Sequence, residues 1–550
     1  MAASILEIFP GDDLIIALRD LNKGQQVTLN SRSILLQEDI PAKHQFAVRD
    51  IKKGEQVRMY GIVVGEVTRD VKKGELLHTG NLIHASGGYR YRAKRTTWRS
   101  PDTGSWKNAT FSGYLRKDGS AGTANYWLVV PLVFCENENI KSLQDAFKQV
   151  LGYDRSEPYR QLANKLVDLY QTGATPDDLT HAEIKPERFT DKSSHVFEHI
   201  DGIKFLTHES GCGGTRRDAQ AFCGLLAGYI THPNVAGVTV LGLGCQNATV
   251  PMLRKEINKR QPDFSKPLFI FEQQQNSSEQ EMLNEAIRKT FAGLVEADKF
   301  RRSSVPLHKL TIGMECGGSD AFSGISANPV MGTIADRLVA CGGGVILSEF
   351  PEFCGAEQSL IDRCIDRSTA EKFIPLYEEY ASRAKADGAG FEMNPSPGNI
   401  REGLITDAVK SAGAVIKGGT SPVIDVLDYG HGVQKQGLNL LNTPGNDVES
   451  TTGLAAAGAN VILFSTGLGT PTGNPIVPVI KIASNSTTAT KLSDIIDFDA
   501  GPVIEGSKSI NDLADDLFDL VLKTAGGEYL PKAVLSGHDE FIPWKRDVSL

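Results

Sequence analysis

The chain has 550 residues, 40% hydrophobic and 23% charged, with 55 glycines and a formal charge of −9. That length excludes a single core and predicts several domains, and the acidic balance argues against a nucleic-acid partner, which needs clustered Lys and Arg. No apolar run approaches the ~18 residues of a membrane span. The N-terminus, MAASILEIFPGDD, lacks the basic and apolar regions of an export signal. Eight cysteines without a Cys-x-x-Cys pair read as free thiols of a reducing compartment, so we expect a cytoplasmic protein without nucleic-acid or membrane partners.

The first segment repeats itself. Asp20-Leu21-Asn22-Lys23-Gly24, Asp50-Ile51-Lys52-Lys53-Gly54 and Asp70-Val71-Lys72-Lys73-Gly74 share one pattern, with each Lys-Gly a turn between short alternating strands. This predicts a small all-β module over 1–84 that resembles the SAF-type β-clip of sugar-acid lyases. It ends at Leu77-His78-Thr79-Gly80-Asn81. A linker over 85–108 follows, polar and basic with Tyr89, Arg90, Tyr91, Arg92, Lys94, Arg95, Trp98 and Arg99. Arginine there suits carboxylate pairing or a domain contact.

From Ala109 strand and helix alternate, which predicts parallel sheets with crossovers in two α/β units, 109–303 and 304–550. In the middle unit, strands near Tyr126–Phe134, Lys204–Thr207, Gly237–Leu243 and Leu268–Phe271 each run into a polar loop. In the C-terminal, Rossmann-like unit, Leu310–Met314 runs into Glu315-Cys316-Gly317-Gly318-Ser319-Asp320, and Gly344–Leu347 into Ser348-Glu349. Leu438–Leu441 leads to Pro444-Gly445-Asn446-Asp447, and Val461–Phe464 to Ser465-Thr466-Gly467. Ligands of open α/β sheets lie beyond the strand carboxyl ends, so these loops are the expected site walls.

Three chemical signals stand out in them. Gly211-Cys212-Gly213-Gly214-Thr215-Arg216-Arg217 opens a predicted helix and suits an anion, with Arg for carboxylate. Cys212, Cys245 and Cys316 each follow a strand, as small fillers of tight loops, metal ligands or an iron–sulfur set. His208, Gln273, Gln274, Glu315, Asp320, Glu349, Asn446 and Asp447 are oxygen and nitrogen donors suited to a divalent metal and a polyhydroxylated substrate. No phosphate loop occurs, and Gly242-Leu243-Gly244-Cys245-Gln246-Asn247 has Asn where a dinucleotide fingerprint needs its third Gly, so no nucleotide cofactor is expected.

The blocks Gly313–Asp320, Ser323–Pro329, Asn394–Asn399, Pro444–Asp447, Phe464–Gly467, Lys481–Ser486 and Asp497–Gly501 together resemble the altronate and galactarate dehydratase family, on the altronate side. The resemblance implies a β-clip domain, a middle domain able to dimerise and a C-terminal catalytic domain, hence a homodimer. It implies an Fe(2+)-activated hydro-lyase, with Mn(2+) or another divalent metal as alternative, removing water from a D-altronate-like hexonate to give a 2-keto-3-deoxy sugar acid. On it we assign His78, His208, Glu315 and Asp320 to catalysis. Cys212, Gly213, Arg216, Gln273, Gln274, Asn446 and Asp447 are assigned to the substrate, and Cys316, Asp320, Glu349 and Cys245 to metal, with base and ligand not separated. The chain departs from the family at Gly80, Ala124 and Ala414, where His, Arg and Cys are usual, and has extra sequence around 154–194. A hexarate dehydratase and a non-catalytic sugar-acid-binding homologue are the alternatives.

Overall fold

The computed structural model describes residues 3–30, 32–92, 97–154, 157–182 and 195–549. Lys94 and Arg95 of the basic segment, and 183–194 of the extra sequence, lie outside them.

The front repeats fold as one turn used three times. Gly24, Gly54 and Gly74 sit at φ +77°, +82° and +81°, a left-handed conformation that glycine adopts without a Cβ penalty. In each turn the next amide closes back, Gln25 to Asn22, Glu55 to Lys52 and Glu75 to Lys72. The repeat aspartates cross-cap: Asp50 accepts from the Lys73 amide and Asp70 from the Lys53 amide. Short antiparallel strands join these turns, including Gln56–Met59 against Ile62–Val67. The module does not close its core alone. Leu14, Val57, Val64 and Leu77 pack with Ala321, Phe322, Leu404 and Ala408 of the C-terminal unit.

The middle unit holds four parallel strands, β1 (Tyr126–Pro131), β2 (Gly202–Phe205), β3 (Val235–Gly242) and β4 (Leu268–Glu272), ordered β2-β1-β3-β4. Strands β1 and β3 are buried throughout, as their unbroken apolar runs require when both faces are covered. Helix α1 (Arg216–Thr231) follows β2. The expected boundary at 303/304 falls inside a sheet: Ser303–Pro306 pairs antiparallel with Thr110–Leu115, and Phe111 and Val305 of this pair pack in the core of the C-terminal unit.

The C-terminal unit is built on seven parallel strands. These are β5 (Thr311–Cys316), β6 (Gly344–Leu347), β7 (Val423–Leu427), β8 (Gly437–Leu441), β9 (Val461–Thr466), β10 (Val479–Ala483) and β11 (Phe498–Asp499), ordered β7-β8-β6-β5-β9-β10-β11. Helix α2 (Ala327–Ala340) follows β5, α3 (Asp407–Ala414) lies in the long excursion between β6 and β7, and α4 (Asp447–Ala457) follows β8. From β5 the chain moves outward through β6 on one side and through β9 on the other. The crevice between β5 and β9 is therefore the topological switch point, where such sheets bind ligands.

Candidate active site

Strand β5 runs through Glu315 and Cys316, further than its apolar run predicts. In register, Glu315 pairs with Phe464 and Phe464 with Lys481, which lines up Glu315, Phe464 and Lys481 on one face of the sheet edge. Cys316 and Ser465, one residue on, face the other side. The switch point thus carries chemistry on both faces of the last β5 turn.

Glu315 is fully buried; its Oε2 accepts from Ser348 Oγ at 3.2 Å and Ser450 Oγ at 2.6 Å, and its Oε1 has no partner. Glu349 is also fully buried and left-handed, φ +72°, a conformation that costs a non-glycine residue ~1–3 kcal/mol. Its amide donates to Thr443 Oγ1 at 2.8 Å, its Oε2 accepts from the Cys316 amide and Lys417, and its Oε1 is unpartnered. Lys417 Nζ lies 2.6 Å from Glu349 Oε2, 2.8 Å from Cys316 Sγ and 3.6 Å from Glu352 Oε2. Lys410 Nζ bridges Glu352 Oε1 at 2.8 Å and Asn394 Oδ1 at 2.6 Å.

Asp447 opens α4, and Asn446 caps that helix by accepting from the Val448 and Glu449 amides. The Asp447 carboxylate lies against Gly317, where a Cβ would stand 2.1 Å from Oδ2. The first glycine of the β5 loop therefore leaves the room that this carboxylate occupies. Lys481 is fully buried, with Nζ 3.2 Å above the Phe464 ring centroid and no hydrogen-bond partner.

Burial dominates the electrostatics. It pushes Glu315 well above the carboxylate range, with Glu349 adding to the push, and moves Glu349 to about 7 against the pull of Lys417. Burial raises Asp447 to about 6, and lowers Lys481 to about 7 despite Asp447. For Glu352 burial is outweighed by Lys410 and Lys417, which hold it below its usual value. For Lys417 burial is outweighed by Cys316, Glu349 and Glu352, which keep it charged. The site thus holds a fixed ammonium beside groups that exchange protons near neutrality.

Two groups of possible metal donors meet here, with ligand atoms within 4.8 Å: Cys316–Glu349–Glu352 and Glu315–Glu349–Asp447. The first already surrounds the Lys417 ammonium. The second has two buried oxygens, Glu315 Oε1 and Glu349 Oε1, with no hydrogen-bond partner, so an all-oxygen divalent-metal site fits it.

Of the residues assigned from sequence, Glu315, Cys316, Glu349 and Asp447 are brought together. Asp320 is fully buried but committed elsewhere: its Oδ1 accepts from the Ser323 amide and hydroxyl, and its Oδ2 pairs with Lys43 of the front module at 3.0 Å. His78 is exposed, and its Nδ1 accepts from the Gly80 amide within its own turn. His208 is buried against Phe222; its ring bonds Pro131 O and the Ser210 amide, and burial lowers it to about 4, so it is neutral packing. Cys212, Gly213, Arg216, Cys245, Gln273 and Gln274 lie at the end of the other sheet, after β2, β3 and β4. A three-thiol cluster with Cys316 therefore does not form among the described residues: the three strands belong to two sheets. The helix terminus at Thr215 meets the chain's own carboxylate, Asp547, through Thr215 Oγ1 at 2.7 Å.

Sequence reasoning missed Glu352, Lys410, Lys417 and Lys481. Only Lys481 carried a local signal, a lone cation in the apolar strand Val479–Ala483.

Fold and site together define an α/β enzyme with a front β module and a buried acid–base cluster at the switch point of its C-terminal sheet. Three family descriptions match in order: altronate/galactarate dehydratase SAF domain at 3–85, D-galactarate dehydratase/altronate hydrolase second domain at 113–298, and D-galactarate/altronate dehydratase C-terminal at 307–549. The altronate dehydratases of Escherichia coli K12 and Bacillus subtilis 168 are 33% and 32% identical over 95% and 96% of this chain, and 95% of each relative. The galactarate dehydratase (L-threo-forming) of Escherichia coli K12 is 27% identical over 96% of this chain and 93% of its own. The chain belongs to the D-galactarate/altronate dehydratase family.

Proposed function

We propose that this chain is a hydro-lyase that dehydrates an altronate-type hexonate to its 2-keto-3-deoxy acid. The observation that carries the reading is Lys481, a buried amine held to about 7 and without a hydrogen-bond partner, in the field of Asp447 and Glu315. An ordinary lysine stays protonated at neutral pH; this one exchanges its proton there, as a general base must. The neutral amine takes the C2 proton at Nζ. The C–H pair forms the C2=C3 bond, the C3–O bond breaks, and the departing hydroxide leaves as water with a proton returned from the site. The enol then becomes the ketone.

The residues that would hold iron(II), or manganese(II) in its place, are Glu315, Glu349 and Asp447. Bound there, the ion supplies Lewis-acid stabilisation of the charge that develops on the substrate carboxylate and C2 oxygen. The Lys417 ammonium holds Glu349 in place by its 2.6 Å contact, and the Ser348 and Ser450 hydroxyls hold Glu315. On the open side Asn394, bonded to Lys410, and exposed Asn446 suit hydroxyl and carboxylate recognition. We also place the protein in the cytoplasm, on its free thiols. Tyr159 and Tyr170, exposed on the helix Glu157–Gln171, support a homodimer through the middle unit. No helix of the described residues is long and apolar enough to cross a membrane.

Lys481→Arg keeps the charge but cannot deprotonate. We expect 2-keto-3-deoxy acid formation to fall ~10²–10⁴-fold while manganese(II) affinity is retained. Turnover at the wild-type rate would overturn the assignment.

A further inference from the structure

A second donor cluster lies at the seam between the front module and the C-terminal unit. His84 stands just past the strand Leu82–Ile83, Cys354 follows the turn Phe350–Phe353, and Asp407 is the first residue of α3. His84 Nδ1 pairs with Asp407 Oδ1, and donor atoms of His84, Cys354 and Asp407 lie within 4.8 Å of one another. The Asp407 side chain is 1% exposed and its Oδ2 has no hydrogen-bond partner. Beside it, buried Glu357 accepts from Tyr377 Oη at 2.8 Å through Oε1 and leaves Oε2 unpartnered.

We propose that His84, Cys354 and Asp407 form a structural site for a borderline divalent cation of the zinc class that clips the front module to the C-terminal unit. One imidazole nitrogen, one thiolate and carboxylate oxygens are the mixed donor set such ions accept in tetrahedral sites. The charge balance agrees. Unlike the cluster at β5, where Lys417 already fills the cation position, no lysine or arginine among the described residues pairs with Cys354, Glu357 or Asp407. The buried Asp407 carboxylate then faces a single imidazole with its Oδ2 lacking a donor, a costly arrangement that a cation relieves. Binding releases the thiol proton and the imidazolium proton to solvent. The consequence is mechanical: the residue just past the module's last strand becomes fixed to α3, whose Lys410 contacts the active-site carboxylate Glu352.

The test uses the full chain, stripped by chelator under reductant and titrated with cobalt chloride, then zinc chloride. Cobalt bound to thiolate gives an intense near-ultraviolet charge-transfer band. We expect that band in the wild type and in Cys316→Ser and Glu349→Gln, and its loss in Cys354→Ser. Zinc is expected to raise the thermal midpoint and to slow proteolytic release of the front module at least tenfold, with both effects lost in Cys354→Ser and in His84→Gln. A band that follows Cys316, absence of a band in the wild type, or zinc protection that survives both seam variants would each overturn the proposal.

Discussion

Lys417→Met removes one ammonium and leaves a stem of similar length, so it isolates the charge. In the native site Lys417 Nζ lies 2.6 Å from Glu349 Oε2 and 2.8 Å from Cys316 Sγ, and Glu349 and Glu352 are 0% and 1% exposed. Were Glu349 to stay ionised, breaking a buried pair of this kind would cost ~3–5 kcal/mol. Proton uptake is the lower-energy route. Glu349 stands at about 7 with Lys417 pulling it down; without that pull it moves higher. A carboxyl raised in the folded state stabilises fully below its unfolded value near 4.5, and that contribution is lost as pH rises through the folded value. The wild type completes this loss near pH 7, whereas the variant keeps losing stability above it. The gap between them therefore widens above pH 7 by ~1.4 kcal/mol per unit, or ~3 °C per unit for a domain of the C-terminal unit's size. Thermal unfolding followed by circular dichroism at pH 6, 7, 8 and 9 reads this directly. A deficit equal at every pH, or none, would refute the charge-balanced cluster.

Three other outcomes follow from the same geometry. With Lys481 at about 7 as the base, kcat/KM falls roughly tenfold per pH unit below that value; a rate flat from pH 8 to 6 contradicts the role. Gly317→Ala puts a Cβ at 2.1 Å from Asp447 Oδ2, so manganese(II) affinity measured by calorimetry drops at least tenfold with little change in the circular dichroism spectrum. Lys43→Met strips buried Asp320 of its 3.0 Å ion pair across the module seam, a loss of ~3 kcal/mol, and faster proteolysis within 85–108 reports the loosened front module.

The β-clip turns and both α/β units were legible because their signals are local. A Lys-Gly pair marks a left-handed turn, and an apolar run broken by Glu or Asp marks a strand end. The approach of Glu315, Cys316, Glu349 and Asp447 was legible for the same reason, since each closes or follows a strand of one sheet. What local pattern cannot tell is which sheet a strand joins. The loops at Cys212, Cys245 and Gln273 look like those at Glu315 and Glu349, yet β1 to β4 form a separate sheet, so their donors end elsewhere. Nor does a short-range signal reveal Lys410 and Lys417, which return from the excursion between β6 and β7 to reach residues 58 to 101 positions away. His208 misled for a physical reason: an imidazole at a strand end can serve its own backbone, and here both ring nitrogens do.

Incubation of the reduced chain with iron(II) and a panel of hexonates and hexarates, followed by assay of 2-keto-3-deoxy acid, decides whether this site dehydrates a sugar acid. Product is expected from an altronate-type hexonate, with Lys481→Arg and Glu349→Gln each at least a hundredfold slower. No product from any sugar acid, or full activity in both variants, would contradict the assignment.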